Sequence, residues 1–441
     1  MEQRRKNLTQ LFIPICLETL LYMLSGMVDT LMLSSVNDQA VGAVGTANTY
    51  IGIFIIMFSV ISSGMVAVMT QNIGAGRPGV AYQARQLGLA FNAVLGIILS
   101  LILAFGAGTI LAGVGVAHAL MQPARTYLQI VGGFCILNAL IPICSSYLRA
   151  FGFSKEPLYA SIIGNVINFC LNAFFLFVLH KGVAGVATAT VISRIINLVI
   201  VVLLGAVLVK AKQHPERESN RAVMGQIIRI GLPSACETAI YNVSMTLVIR
   251  FLNQMDAQGL NVTARSYTMQ ITNFSYCVGA ALAQANAIMT GWHIGAKEYD
   301  ACDRGTKKAA VIGVIVAVIL ETVFTLCSGW IMQLFSKDPQ MVSLVGKLLA
   351  IDIVLEIGRV TNLVYGQALK TSGDAVFPVV MGACFMILCS VGGTYLFGIR
   401  LGLLAVGAYI GMTGDECVRA IGMYLRWKSG KWKQKGLVKS R

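Results

Sequence analysis

IGIFIIMFSVISSGMVAVM, residues 51–69, runs for five helical turns without one charged side chain. About 20 mainly apolar residues in a helix cross the hydrocarbon core of a bilayer, so this stretch is long enough to span a membrane. A second run, AAVIGVIVAVILETVFTLC at 309–327, holds a single glutamate. The whole chain is 56% hydrophobic and 12% charged, whereas about a quarter of the residues of a soluble domain are charged. The sequence therefore predicts an all-α polytopic membrane protein.

Working outward from this run, we find about 12 such apolar segments. They lie near 11–34, 41–70, 84–115, 123–147, 158–179, 184–210, 226–252, 262–292, 306–336, 341–368, 375–398 and 403–427. With 12 spans both termini lie on one side, and 25 of the 34 Lys and Arg residues then fall on that side, against 7 on the other. Cytoplasmic loops carry such an excess. We expect a multi-pass protein of the cell (cytoplasmic) membrane with both termini in the cytoplasm.

The net charge of +15 does not indicate a nucleic-acid partner, because much of it lies in the tail RWKSGKWKQKGLVKSR at 426–441. Such a juxtamembrane tail is typical of contact with anionic lipid. The 11 cysteines form no C-x-x-C pair, and no P-loop, H-E-x-x-H or G-x-S-x-G motif is present. The sequence predicts neither an enzyme nor a bound cofactor.

The chain repeats itself at an offset of about half its length. IPICLET (13–19) returns as LPSACET (232–238), and LRAFGFSKEP (148–157) returns as LKTSGDAVFP (369–378). We therefore predict two lobes of six helices each, residues 1–215 and 216–441. Because six is even, both lobes enter the membrane from the same side. They should be related by a pseudo-twofold axis along the membrane normal, with a cleft between them.

Several motifs occur in a fixed order over nearly the whole chain. They are IPICLETLLYMLSGMVDTLMLSSV, GAVGTAN, QNIGAG, GNVINFCLN, GVAGVATATVIS, ALKTSGD and DECVRAIGMYLRWKSGKW. In this set the sequence resembles the multidrug and toxic compound extrusion (MATE) family. The resemblance implies secondary export of small cationic amphipathic compounds, coupled to the entry of H⁺ or Na⁺. We expect a monomer.

Polar residues in three segments of the first lobe fall at a similar depth. They are Asp29 near the outer end of the first helix, Asn168 and Asn172 in the fifth, and Thr190 in the sixth. A charge in mid-membrane costs about 3 kcal/mol on insertion scales, so Asp29 needs a reason. We predict that these residues form a cation-coupling site. Hydrogen bonding between helices is the alternative.

The second lobe serves as an internal control, since Asp29 corresponds there to Val248 and Asn172 to Gly393. In the MATE family the aspartate of the first-helix VD pair is the coupling carboxylate, and Asp29 matches it. The family's fifth-helix pattern N-x-x-x-D becomes Asn168 and Asn172, so an amide replaces the second carboxylate. With one titratable group left, H⁺ is favoured as the coupling ion, and Na⁺ at Asp29 is the alternative.

Pro14 matches a family proline at which the first helix bends. The alternative interpretation is a proline in the first turn of a helix.

Four more residues are candidates for a substrate cleft: Glu18, Tyr22, Glu237 and Tyr241. The two glutamates form a symmetric pair that can attract a cation. The alternative is that each carboxylate is already paired, with Arg194 a candidate partner of Glu18 or of Asp29. Other acids in the second lobe have a basic residue one turn away, as Glu356 has Arg359 and both Asp415 and Glu416 have Arg419. Glu321 has no partner nearby in sequence.

The predicted function is secondary export of organic cations by alternating access of the two lobes. The alternative is a flippase for lipid-linked saccharides, or a polysaccharide exporter, on a related scaffold. Such a protein favours a cationic cleft, whereas the cleft candidates here are acidic or neutral.

Overall fold

The structure is a computed structural model that describes residues 6–34, 38–113, 116, 118–210, 214–256, 258–333 and 335–438. Throughout these residues the chain forms helices and connecting loops, with no β-strand. The all-α polytopic fold predicted from the sequence is confirmed.

Contacts divide the chain into two compact units, Met1–Gly231 (unit 1) and Leu232–Arg441 (unit 2). The helices that lie wholly in unit 1 are α1 (Leu8–Ser34), α2 (Asp38–Gly74), α3 (Pro78–Gly113), α4 (His118–Tyr127), α5 (Ile136–Ala150), α6 (Lys155–Ala173) and α7 (Gly182–Leu208). The π-helical turns Leu128–Gly132 and Phe174–Val178 extend α4 and α6. The extended α4 and α5 meet at a 43° bend and together form the fourth predicted segment.

Helix α8 (Asn220–Met255) begins in unit 1 and continues into unit 2. The remaining helices are α9 (Leu260–Gly295), α10 (Tyr299–Leu326), α11 (Ser328–Met332), α12 (Pro339–Ser372), α13 (Val376–Phe385) and α14 (Leu404–Lys428). The π-helical stretches Met386–Val391 and Thr394–Arg400 extend α13. Each of the 12 predicted segments is therefore helical over most of its described residues.

Within the described residues, seven helices are long and apolar enough to cross a membrane, or eight if the bent pair is one span. Helices α8, α9, α12 and α14 have the length, but they carry more polar and charged residues. Large apolar side chains stand on the outer surface of the spans, with Phe105 84% and Leu326 80% exposed. An exposed apolar surface of this kind is typical of contact with lipid.

The start of α8 packs directly on α2 within unit 1. A Cβ atom added to Gly231 would lie 1.6 Å from the Val60 carbonyl oxygen, and one added to Gly64 would lie 1.9 Å from that of Ile227. The two backbones touch because neither glycine has a side chain. The division between the units therefore falls inside α8, whereas the predicted boundary at 215/216 lies in the loop before it.

Pro14 is the seventh residue of α1, and it is buried. Proline has no N–H, so the Gln10 carbonyl loses its intrahelical donor. The buried Ser154 hydroxyl, just before α6, donates to that carbonyl at 3.0 Å. The alternative of a first-turn proline was wrong, because α1 begins at Leu8. Pro233 likewise lies inside α8. The hinge role of Pro14 stays a prediction.

Candidate functional site

Asp29 and Asn172 meet where α1 packs on α6 in unit 1. Asp29 is half-buried five residues before the end of α1, and Asn172 is fully buried. The Asn172 Nδ2 group donates to Asp29 Oδ1 at 2.6 Å and to Asn168 Oδ1 at 3.3 Å. Three of the four residues predicted for the coupling site thus form one hydrogen-bonded chain.

The side-chain carbonyl oxygen of Asn172 can accept a further hydrogen bond. This Oδ1 atom is buried and accepts no hydrogen bond from the residues that the structure describes. A carboxylate only accepts hydrogen bonds, whereas a carboxylic acid also donates one, and an amide can do both. Asn172 can therefore bond Asp29 in either protonation state by exchanging its N–H and carbonyl ends.

Thr190 is buried on α7, but its hydroxyl donates to the Val186 carbonyl of the same helix at 2.9 Å. No hydrogen bond in the described part of the chain joins it to Asp29. A role for Thr190 in coupling stays a prediction.

Three further residues lie around Asp29: Arg194 was a candidate partner from the sequence, and the other two were not predicted. Arg194, one turn beyond Thr190, interacts electrostatically with Asp29 but forms no described ion pair with it. The Tyr127 hydroxyl on α4 bonds the Asn48 side chain of α2, in the electrostatic field of both Asp29 and Arg194. Tyr127 and Asn48 lie on helices that no sequence spacing links to Asp29, so only the packing reveals them.

The repeated glutamates are held in ion pairs, one in each unit. Arg149 Nη2 lies 2.5 Å from Glu18 Oε2, and Lys370 Nζ lies 2.7 Å from Glu237 Oε2. Arg149, and not the predicted Arg194, is thus the cation bonded to Glu18. Arg149 and Lys370 are themselves equivalent in the repeat, at an offset of 221. This equivalence was the signal by which both pairs were predictable.

These ion pairs agree with the alternative interpretation, in which each glutamate carboxylate is already paired with a basic residue of its own unit. The side chains of both pairs are only 11–15% exposed. Tyr22 is 71% exposed on α1, and Tyr241 lines a cavity of about 230 Å³ in unit 2. A substrate role for these four residues stays a prediction.

The ion pairs expected from sequence spacing in unit 2 are present. Glu356 bonds Arg359, and Arg419 lies 2.8 Å from Asp415 and 2.9 Å from Glu416. A further contact of 3.6 Å between Arg359 and Glu416 joins α12 to α14. Spacing along one helix predicted the pairs within each helix, but not this contact between two helices.

Comparison with known proteins gives a consistent result. The family model described as MatE matches residues 14–174 and again 233–396, so it covers both halves of the repeat and starts at Pro14 and Pro233. The uncharacterized transporter YisQ of Bacillus subtilis is 34% identical over 96% of this chain and 94% of its own length. The probable multidrug resistance protein NorM of Thermotoga maritima is 22% identical over 98% and 94%.

Solved structures agree on the fold. The outward-facing conformation of a multidrug resistance MATE family transporter of the MOP superfamily aligns with a TM-score of 0.87 at 18% identity, covering 98% of this chain and 96% of that one. The chain belongs to the MATE family and is a multi-pass membrane transporter.

Proposed function

We propose that the protein exports small cationic amphipathic compounds from the cytoplasm across the cell membrane in exchange for H⁺. It works by alternating access as a monomer, with both termini in the cytoplasm and no organic cofactor. The similarity to relatives named probable multidrug resistance protein NorM supports this substrate class.

The observation that carries the proposal is the hydrogen bond between Asp29 and Asn172. When Asp29 is ionised, the amide N–H stabilises its charge. When Asp29 is protonated, its O–H can donate to the amide oxygen that otherwise lacks a partner. The Asp29 carboxyl then keeps a hydrogen bond to the Asn172 side chain in both states, so neither binding nor release of H⁺ leaves Asp29 itself without a partner. Na⁺, the alternative ion, prefers several anionic oxygens, and Asp29 is the single carboxylate in this hydrogen-bonded chain.

Exchange of the exported substrate for H⁺ follows if both bind to the same carboxylate and each excludes the other. Asp29 is half-buried, and Tyr22 lies two helical turns before it on α1, on the same face. An aromatic ring near a carboxylate suits an organic cation, which gains from contact with both. Protonation of Asp29 removes the negative charge and releases the cation.

The test is efflux of a cationic dye from liposomes that contain the purified protein, with H⁺ and Na⁺ gradients imposed separately. We expect efflux under the H⁺ gradient and its loss in Asp29→Asn, which should still fold because it removes a costly charge. Asp300→Asn makes the same chemical change at an exposed site in the first turn of α10 and should behave as wild type.

Normal efflux by folded Asp29→Asn would remove Asp29 from the mechanism. Efflux driven only by Na⁺ would replace H⁺ as the coupling ion. A saccharide flippase, the alternative function, would move no dye under either gradient.

A further inference from the structure

Three acidic side chains of unit 2 converge inside the protein. Glu321 lies on α10, and Asp352 and Glu356 lie one turn apart on α12, with 0–2% of each residue exposed. One carboxylate oxygen from each comes within 4.8 Å of the others. Two ligands on opposite sides of a hard cation, each about 2.4 Å from it, would be about this far apart.

Most of these oxygens have nothing to bond. Both oxygens of Glu321, Oδ2 of Asp352 and Oε2 of Glu356 lack a hydrogen-bond partner in the described chain. The Ser275 hydroxyl lies next to Glu321 and lowers the cost of its negative charge, but it forms no hydrogen bond of good geometry within the described chain. An ionised carboxylate buried without a partner costs several kcal/mol, so the cluster either holds protons or binds a cation that reaches several oxygens at once.

The charged side chains around the cluster do not supply enough positive charge to neutralise it. Beside the cluster is a cavity whose lining includes Arg265, Arg359, Asp415 and Glu416. Arg419 forms ion pairs with the last two of these residues. Together with the cluster, five carboxylates face three guanidinium groups, which leaves two negative charges. Each of Arg359 and Arg419 is already shared between two carboxylates. Glu321 has no ion pair in the part of the chain that the structure describes.

The cluster is also within reach of a small ion. Asp352 lines the cavity of about 230 Å³ in unit 2, together with Tyr241, Tyr276 and Tyr409. Asp352 therefore belongs both to the cavity wall and to the cluster, whereas Glu321 and Glu356 do not line the cavity. An ion that enters the cavity meets Asp352 first.

We propose that Glu321, Asp352 and Glu356 form a binding site for a hard metal cation, separate from Asp29 and independent of the proposed coupling mechanism. A divalent cation would balance both excess charges by itself. Na⁺ would balance one of the two negative charges, and a proton on the cluster would have to balance the other. Protons and metal ions compete for the same carboxylates, so binding of either ion should strengthen from neutral to mildly alkaline pH, and more steeply for a divalent ion, which takes the place of two protons, than for Na⁺, which takes the place of one.

Equilibrium binding of radioactive Ca²⁺ and Na⁺ to the purified full-length protein tests the proposal, with Mg²⁺ and Mn²⁺ as competitors and at two pH values. We expect saturable binding of one ion per chain. Glu321→Gln and Asp352→Asn should each weaken it at least about tenfold. Two variants should keep it: Asp300→Asn, an exposed change on the same helix as Glu321, and Asp29→Asn, a change in unit 1.

Several outcomes would overturn the proposal. They are no saturable binding of any of these ions, binding that survives Glu321→Gln, and binding lost in Asp29→Asn but not in the cluster variants. If Glu321→Gln does not fold, the folded Asp352→Asn variant decides by itself. A pH-dependent unfolding midpoint that the cluster variants abolish, in a protein that binds no metal, would assign the cluster to protons.

Discussion

At the scale of single residues, the most informative substitution changes the Asp29–Asn172 hydrogen bond. Asn172→Asp would place two carboxylates where a donor and an acceptor now lie 2.6 Å apart. Two such groups cannot both be ionised unless a cation lies between them. We expect the variant either to hold H⁺ more firmly, which shifts the pH optimum of efflux upward, or to gain dependence on Na⁺.

Dye efflux from liposomes under separate H⁺ and Na⁺ gradients measures both effects. Asn165→Asp is the matched control, because it adds the same charge about two turns before Asn172 on α6. If Asn172→Asp behaves as wild type at every pH and under each gradient, Asn172 takes no part in coupling, and Arg194 becomes the next partner of Asp29 to test.

The Glu18–Arg149 pair gives a second prediction, which separates a structural role from a substrate role. Removing one member of a pair that is 85–89% buried leaves the other uncompensated, at a cost of about 3 kcal/mol. Glu18→Gln and Arg149→Met should each lower the unfolding midpoint, and the double variant should recover most of the loss. Glu237→Gln with Lys370→Met should repeat this pattern in unit 2.

Thermal unfolding in detergent, combined with efflux of several dyes, measures the two roles separately. If Glu18 binds substrate, the double variant will be stable but will lose efflux or change its preference among dyes. Single variants as stable as wild type would show that the pair contributes nothing to folding.

At the scale of helices, the close approach of α2 and α8 depends on two glycines. Gly231→Ala would drive a methyl group into the Val60 carbonyl, since the added Cβ would lie 1.6 Å from its oxygen. Backbone atoms of two packed helices cannot yield as a flexible side chain does, so α8 must move away from α2. We expect a clear loss of folded protein or a lower unfolding midpoint.

Gly225→Ala on the same helix is the control, because nothing lies within 4 Å of its added Cβ. That variant should match or slightly exceed wild type, since alanine favours a helix more than glycine does. Equal stability of the two variants would show that the helices do not depend on this contact.

The helices were predictable, and many of the contacts between them were not. Apolar runs locate all 12 segments because the bilayer demands length and hydropathy, two properties that are local in sequence. The same reasoning missed Arg149 as the partner of Glu18, because no local sequence pattern links residues 131 positions apart. Asp352 was missed because its role depends on Glu321 of another helix. The repeat was the one sequence signal able to link distant residues, and it aligned both ion pairs.

At the scale of the whole molecule, the two halves share one scaffold and differ in chemistry. The prolines of the first helix of each repeat and the Glu18 and Glu237 pairs occur in both. The Asp29 site occurs in unit 1, and the position equivalent to Asp29 in unit 2 is Val248. The cluster of Glu321, Asp352 and Glu356 lies in unit 2. A duplicated scaffold thus carries one candidate ion site of a different kind in each unit.

The overall charge balance of transport leads to the last prediction. If one H⁺ and one monovalent cation exchange at Asp29, a complete cycle moves no net charge, so efflux should respond to a pH gradient and ignore the membrane potential. If each cycle instead moved one net charge across the membrane, the membrane potential would contribute about 2.3 kcal/mol per 100 mV to transport. This energy corresponds to about a 50-fold change in the ratio of dye concentrations on the two sides. Liposomes with a K⁺ diffusion potential set by valinomycin, at constant pH gradient, measure this directly. A steep response to voltage would rule out one-for-one exchange. If Glu321→Gln then removed that response and kept the efflux, the second charge would pass through the cluster in unit 2.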